Sequence, residues 1–270
     1  MSDELKSLSC LSLVTYHSSL FSMQQHTYAI MYEVEGAHWW FAGRRRILES
    51  FLAQLVPTLP VRNEERPRIL DVGCGTGANL EMLARFGDAE GVDVSDEALA
   101  FCRARGLTRV QAGAAEALPY KDATFDLVTA LDVVEHLDDD TQGLSEMRRV
   151  LKVGGCALLF VPAFMWLWGV QDDVSNHRRR YTRAQLCRRL RAAGFRVERA
   201  TYANVTFLAP ILAGRLLMRL TGARPASENN INVAALNGLF GRVLGAERYW
   251  LRHANLPVGV SLVCVARRME

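Results

Sequence analysis

The segment that most limits how this chain can fold is ILDVGCGTGANL, residues 69–80. It begins as an apolar strand, turns through Gly73, Gly75 and Gly77, and continues into ANLEMLARF (78–86), whose apolar residues recur at helical spacing. Glycines at alternate positions let the backbone turn tightly and let a ligand approach it closely. A strand, a Gly-rich turn and a helix in that order are the opening unit of a parallel α/β sheet, whose ligands bind beyond the carboxyl ends of the strands.

The rest of the chain repeats this alternation. Buried-strand patterns are expected at 68–73, 89–94, 109–113, 125–131, 156–162, 196–203 and 258–268. Helical patterns are expected at 78–86, 96–106, 141–155 and 182–195, the last opened by Thr182. Near-continuous apolar strands separated by helices mark a sheet covered on both faces. The fold class read here is α/β: a Rossmann-like, seven-stranded, mostly parallel sheet with helices on both faces. An N-terminal helical lid precedes it, and a helical insertion stands before the last strand. The expected division is a weakly ordered leader over 1–22, a lid over 23–66, a core of 67–203 with 258–270, and an inserted cap over 204–257. Met23 is a second candidate start.

The glycines alone leave the ligand open. Gly73, Gly75 and Ala78 also fit the G-x-G-x-x-A form of a dinucleotide fingerprint, so an NAD(P)-dependent oxidoreductase is one alternative. Electrostatics favours another ligand. Asp71, two residues before Gly73, suits a nearby ammonium better than a pyrophosphate. Asp93, at the end of the second strand, can accept hydrogen bonds from both ribose hydroxyls, a contact shared by both ligand classes.

Four motifs in order resemble the class I S-adenosylmethionine-dependent methyltransferases: ILDVGCGTG, GVDVS, GAAEALPYKDATFDLVTALDVVEHL and LKVGGCALLFVP. EGAHWWFAGRRR and NHRRRYT resemble segments of a bacterial small-molecule and lipid-type branch of that family. The resemblance implies methyl transfer with S-adenosylmethionine as cofactor and S-adenosylhomocysteine as product. It implies a cofactor site at Gly73, Cys74, Gly75 and Gly77, with Asp71 below, Asp93 on the ribose beside Val94, and the Ala115 and Glu116 backbone at the adenine. Leu131 and Asp132 follow the fourth strand at the same edge. Ala114 stands where relatives often carry an acid that meets the adenine amino group.

His136, in DVVEHLDDD, and His177, in SNHRRRYT, are the candidate catalytic bases, since imidazole titrates near neutral pH. A capping or supporting role for His136 is the alternative. Asp132, Glu135 and His136 resemble an E-x-x-E-H metal-binding pattern with a shortened first residue; no metal is assigned. Arg178, Arg179 and Arg180 can hold an anion or pair with Asp172 and Asp173. Arg44 is expected near the cofactor's carboxylate, with Trp39, Trp40 and Phe41 near the methyl group or in the core.

The segment VTFLAPILAGRLLMRL (205–220) is strongly apolar. It reads as a cap over an apolar acceptor pocket, as a peripheral membrane contact through 204–220, or as packing on the core or at a homodimer interface. A small-molecule or lipid-linked acceptor methylated at oxygen is the favoured reading. A non-catalytic cofactor-binding subunit is an alternative. A net charge of +3, from 32 basic and 29 acidic residues, lacks the basic stripe of a nucleic-acid binder. Six cysteines without a C-x-x-C pair read as reduced thiols. No apolar run is long enough to span a bilayer. A cytoplasmic protein is expected, with peripheral contact at the inner face of a membrane as a variant.

Overall fold

The structure is a computed structural model in which residues 25–61, 65–222 and 234–270 are described. The expected leader and Met23 lie outside them, as does part of the expected cap, residues 223–233.

Seven strands form one sheet in the order β3-β2-β1-β4-β5-β7-β6. They are β1 (Arg68–Val72), β2 (Asp88–Asp93), β3 (Val110–Ala112), β4 (Phe125–Leu131), β5 (Leu151–Pro162), β6 (Phe195–Ala203) and β7 (Ser261–Arg268). β1 to β5 pair in parallel, and β7 runs antiparallel between β5 and β6. The expected seven-stranded, mostly parallel Rossmann-like sheet is what forms. Strand order reverses beside β1, which pairs with β2 on one side and β4 on the other. That is the switch point where ligands of such sheets bind.

Alternation along the central strands feeds two cores. Val128 and Ala130 of β4, and Ala157, Leu159 and Val161 of β5, pack on one face. Leu127 and Leu131 of β4, with Cys156, Leu158 and Phe160 of β5, pack on the other. Every residue of β4 is buried, and a fully buried Leu or Phe contributes about 1.5–3 kcal/mol.

The helices have readable causes. α1 (Gln25–Val34) and α2 (Trp39–Leu55) precede the sheet. α3 (Ala78–Leu83) begins at Gly77, and α4 (Asp96–Ala104) begins where the Ser95 hydroxyl accepts from the Ala98 amide. α5 (Asp140–Val150) is capped by Asp139, which accepts from the Thr141 and Gln142 amides. α6 (Val170–Val174) follows β5, and α7 (Arg183–Ala192) opens with a reciprocal Thr182–Gln185 cap. α8 (Leu208–Thr221) and α9 (Asn237–Leu251) lie between β6 and β7, with α9 packed along α2.

One expected boundary is corrected. The helix anticipated over 141–155 ends at Val150, and β5 begins at Leu151 rather than at 156. Leu151 already pairs with Phe125, and the register then jumps so that Leu127 meets Cys156. The intervening residues bulge, with Gly154 at φ +81°.

Candidate functional site

The loop between β1 and α3 is held from below: the Gly73 and Cys74 amides both donate to the Val92 carbonyl, at 2.8 and 3.0 Å. Gly73, Gly75 and Gly77 all have positive φ, but for different ends. A Cβ at Gly73 would stand 2.5 Å from Val133, and one at Gly77 would stand 2.6 Å from Leu107. At Gly75 nothing lies within 4 Å of that position. The middle of the loop is therefore a cradle, and its ends are packing joints.

Asp93 braces the cradle. Its Oδ2 accepts from the Gly75 amide at 2.8 Å and its Oδ1 from the Ser95 amide at 2.9 Å. Burial raises its pKa, and those backbone hydrogen bonds offset part of the rise. A brace that sequence reasoning missed comes from outside. Glu35, just past α1, is buried and accepts from Thr76 Oγ1 and from Arg105 Nη2 at 2.6 Å. Arg105 also donates to the Thr76 carbonyl at 2.8 Å and lies over the Tyr32 ring. The only hint of Glu35 was its place at the head of EGAHWWFAGRRR.

Arg44 of α2 does not point freely into the cavity. It pairs with Asp132, lies 3.3 Å from Asn79 Oδ1 through Nη2, and rests over the Trp40 ring at 4.6 Å. Asp132, at the end of β4, has φ +61°. Asp71 lies behind the loop, fully buried, with Oδ1 accepting from Thr129 Oγ1 at 2.6 Å and Oδ2 without a partner. Burial raises its pKa to about 7.

The loops after β4 and β5 bring the two histidines together, with ring centroids 4.7 Å apart and nearly perpendicular. His177 Nδ1 is 2.8 Å from Asp172 Oδ1, and Nε2 is 3.9 Å from Glu135 Oε1. Arg180 grips Asp172 through Nε and Nη2, at 2.7 and 2.9 Å. Burial works against the Asp172 charge, but the bonds from His177, Arg180 and the Gly169 amide outweigh it and hold its pKa at about 2. Glu135 is wholly buried and neither of its oxygens has a hydrogen-bond partner. Burial, reinforced by Asp132, pushes its pKa well above the carboxylate range. His136 is pushed down to about 3, by burial first and then by His177. Among the described residues, Glu135, His136 and His177 have ligand-type atoms within 4.8 Å of one another, the spacing a cation site would need.

The arginines of NHRRRY divide their work. Arg180 pairs with Asp172, Arg178 pairs with Asp138, and Arg179 lies 3.3 Å from Asp140. All three therefore face carboxylates.

These groups share one cavity of about 800 Å³, toward the upper end for small-molecule sites. Twelve of the fourteen candidate cofactor-site and base residues line it: Arg44, Gly73, Cys74, Gly75, Asp93, Val94, Ala115, Glu116, Leu131, Asp132, His136 and His177. Asp71 and Gly77 do not reach its wall. Its opposite side is apolar, from Trp39, Trp40 and Phe41 of α2, Phe207 and Met218 around α8, and Phe240 of α9. Trp39 meets Phe207 at 4.5 Å and Phe240 at 6.3 Å.

Residues 70–159, one third of the chain, match the family model described as a methyltransferase domain. A demethylmenaquinone methyltransferase of Chlorobaculum parvum is 39% identical over 105 residues, 38% of this chain and 44% of that protein. A ubiquinone biosynthesis O-methyltransferase of Paraburkholderia phymatum is 34% identical over 95 residues, 33% of this chain and 41% of that protein. The chain spans about half the length of the curated relatives it matches. The methyltransferase solved in complex with the Haloferax volcanii Trm112 activator has the same fold, with a TM-score of 0.55 and 20% identity, over 81% of this chain and 88% of that one. The match over residues 70–159 and these relatives support a class I S-adenosylmethionine-dependent methyltransferase domain in that segment.

Proposed function

We propose that the chain transfers a methyl group from S-adenosylmethionine to a hydroxyl oxygen of a hydrophobic small molecule or lipid-linked acceptor of quinone type. The observation that carries this reading is the joining, in one cavity, of the Gly75–Asp93 cradle, the His177–Asp172 pair and an apolar wall. The quinone methyltransferases among the relatives support the acceptor class.

The residues fit the cofactor, because the space beside Gly75 is open and the Asp93 carboxylate is fixed next to it. Asp93 would hold the ribose, and the backbone at Ala115 and Glu116 would border the adenine. Bound S-adenosylmethionine supplies a methyl group already activated on a sulfonium. The chain's task is then alignment, which can be worth about 7–11 kcal/mol, and management of one proton.

His177 is assigned as the base. Asp172 fixes its Nδ1, so Nε2 is left to take the acceptor's hydroxyl proton as the new oxygen–carbon bond forms. His136, half-buried and neutral against its ring, is assigned a supporting role. Trp39, Phe207, Met218 and Phe240 would hold the acceptor's apolar part and exclude water.

Calorimetric titration with S-adenosylmethionine, S-adenosylhomocysteine and NADH, followed by methyl-transfer assays on hydroxylated quinone precursors, tests the reading. Binding of the adenosyl ligands and an O-methylated product are expected. Binding of NADH alone would instead support an oxidoreductase.

A further inference from the structure

We propose that the outer face of α8 docks on the surface of an anionic lipid bilayer. The inference rests on the apolar-acceptor reading only for what the docking is for; the docking itself rests on the following features.

α8 is apolar on two sides. Its inner side, with Ile211, Gly214 and Met218, lines the cavity. Its outer side carries Ala209, Ala213, Leu216, Leu217 and Leu220, all exposed. Those positions follow the i, i+4, i+7, i+8, i+11 spacing of a single helical stripe. Leu216, Leu217 and Leu220 are 58%, 61% and 76% exposed. A helix at the surface of a water-soluble domain ordinarily turns a polar side to solvent, and this one turns leucines. The patch continues onto the turn after β5. Arg219 Nη2 donates to the Trp168 carbonyl at 3.2 Å, and Met165 and Trp166 on that turn are each about half exposed.

Arg219 is the exposed cation of α8, and the charge of the surrounding sequence segment selects the occupant. Residues 204–257 contain six arginines and two glutamates, a net +4, while the whole chain is +3. The rest of the chain is thus net −1, and the positive excess belongs to this segment. Of the two acids, Glu247 is buried and is taken up by the Asn204 and Thr206 amides at 2.7 and 2.8 Å. Leucines flanked by arginine, with an exposed tryptophan beside them, match the requirements of the headgroup boundary: apolar surface to bury and cations to meet anionic lipid. At 14 residues α8 is about 21 Å long, too short to cross a bilayer. No helix among the described residues is long and apolar enough to do so. α8 would lie in the plane of the surface, and an acceptor dissolved in the bilayer would enter the cavity past the same helix.

The test is flotation of the full chain with phosphatidylcholine vesicles and with vesicles that also contain phosphatidylglycerol. It is run beside sedimentation velocity and S-adenosylhomocysteine titration. The expected result is flotation with the anionic vesicles, weakened by salt, and a drop of about tenfold or more in the bound fraction for the Leu216→Ser, Leu217→Ser, Leu220→Ser triple variant. All three side chains are exposed, so the variant's cofactor affinity and melting temperature should match the parent's. Failure of the parent to float, or equal flotation of parent and variant, would overturn the proposal. So would a parent dimer that the triple variant converts to monomer without any vesicle binding, which would give the face to a second copy. Vesicle binding requires neither cofactor nor acceptor. A chain that floats but transfers no methyl group would therefore defeat the proposed function and leave the docking intact.

Discussion

The Nδ1 of His177 stands 2.8 Å from Oδ1 of Asp172, and the same carboxylate is gripped by both Nε and Nη2 of Arg180. Asp172 thereby fixes the ring, with Nε2 3.9 Å from Oε1 of Glu135. Replacing it with Asn keeps the size and removes the charge. Asp172→Asn is expected to lower turnover about 100-fold, the low end of the range for general-base chemistry, with cofactor affinity unchanged. The acid limb of the pH–rate profile should also move. An equal loss of cofactor affinity, with the profile unmoved, would indicate a structural role only.

Asp93 braces the cradle through the Gly75 and Ser95 amides, and in the proposed function the same carboxylate would hold the ribose. Asp93→Ala would remove the proposed ribose contact and leave the Gly75 and Ser95 amides without their acceptor. S-adenosylhomocysteine affinity is expected to fall at least about tenfold by calorimetry, for a loss of roughly 1.4 kcal/mol or more. Unchanged affinity would place the cofactor elsewhere.

The glycines of the loop should separate in experiment. Gly75→Ala pays the left-handed cost of about 1–2 kcal/mol, and its new methyl projects into open space, so loss of cofactor affinity should dominate. Gly77→Ala pays the same backbone cost and also meets Leu107 at 2.6 Å and the Cys102 sulfur at 3.0 Å. It should lose about 1–3 kcal/mol more in stability. Thermal melts and titrations of both variants, measured together, would show whether the two losses divide in this way.

Asp71 makes a pH-dependent demand on the fold. Its folded pKa of about 7 lies above the ordinary 3.8, so the folded state favours the protonated form. The sidechain is neutral in both states below about pH 4. Between pH 4 and 7 the unfolded chain ionises it more readily, and stability falls by up to about 1.4 kcal/mol per pH unit; above pH 7 the penalty is constant. Asp71→Asn keeps an acceptor for Thr129 and removes the ionisation. The variant should gain melting temperature relative to the parent as pH rises from 5 to 7, and a constant difference over that range would contradict the assignment.

Much of the sheet was legible because its central strands are buried on both faces and so read as unbroken apolar runs. The helix–strand boundary at Val150 was not. Leu151 and Val153 prolong the apolar pattern of Leu144, Met147 and Val150, and only pairing with β4 decides where the helix stops. The Gly-rich turn and Asp93 were legible because their spacing is local. Contacts such as Arg44–Asp132, 88 residues apart, and Glu35–Thr76, 41 apart, were not, since they exist only once α1 and α2 lie over the sheet edge. Asp172 is only five residues from His177, yet its role was hidden. The sequence offered Asp172 and Asp173 alike as partners for the arginines, and the turn of α6 selects Asp172.

The antiparallel pairing of β6 with β7 has a consequence for how such a chain can diversify. Ala203 lies opposite Ser261, so the two helices between them leave and re-enter the sheet at adjacent points. In place of a short hairpin turn, the edge carries an exchangeable cassette anchored on α2 by Leu244 and by Gly241, whose Cβ position faces Trp39 and Ala42. If those anchors are kept, the cavity-lining residues Phe207, Met218 and Phe240 can be rewritten without disturbing any strand that carries the Gly-rich loop.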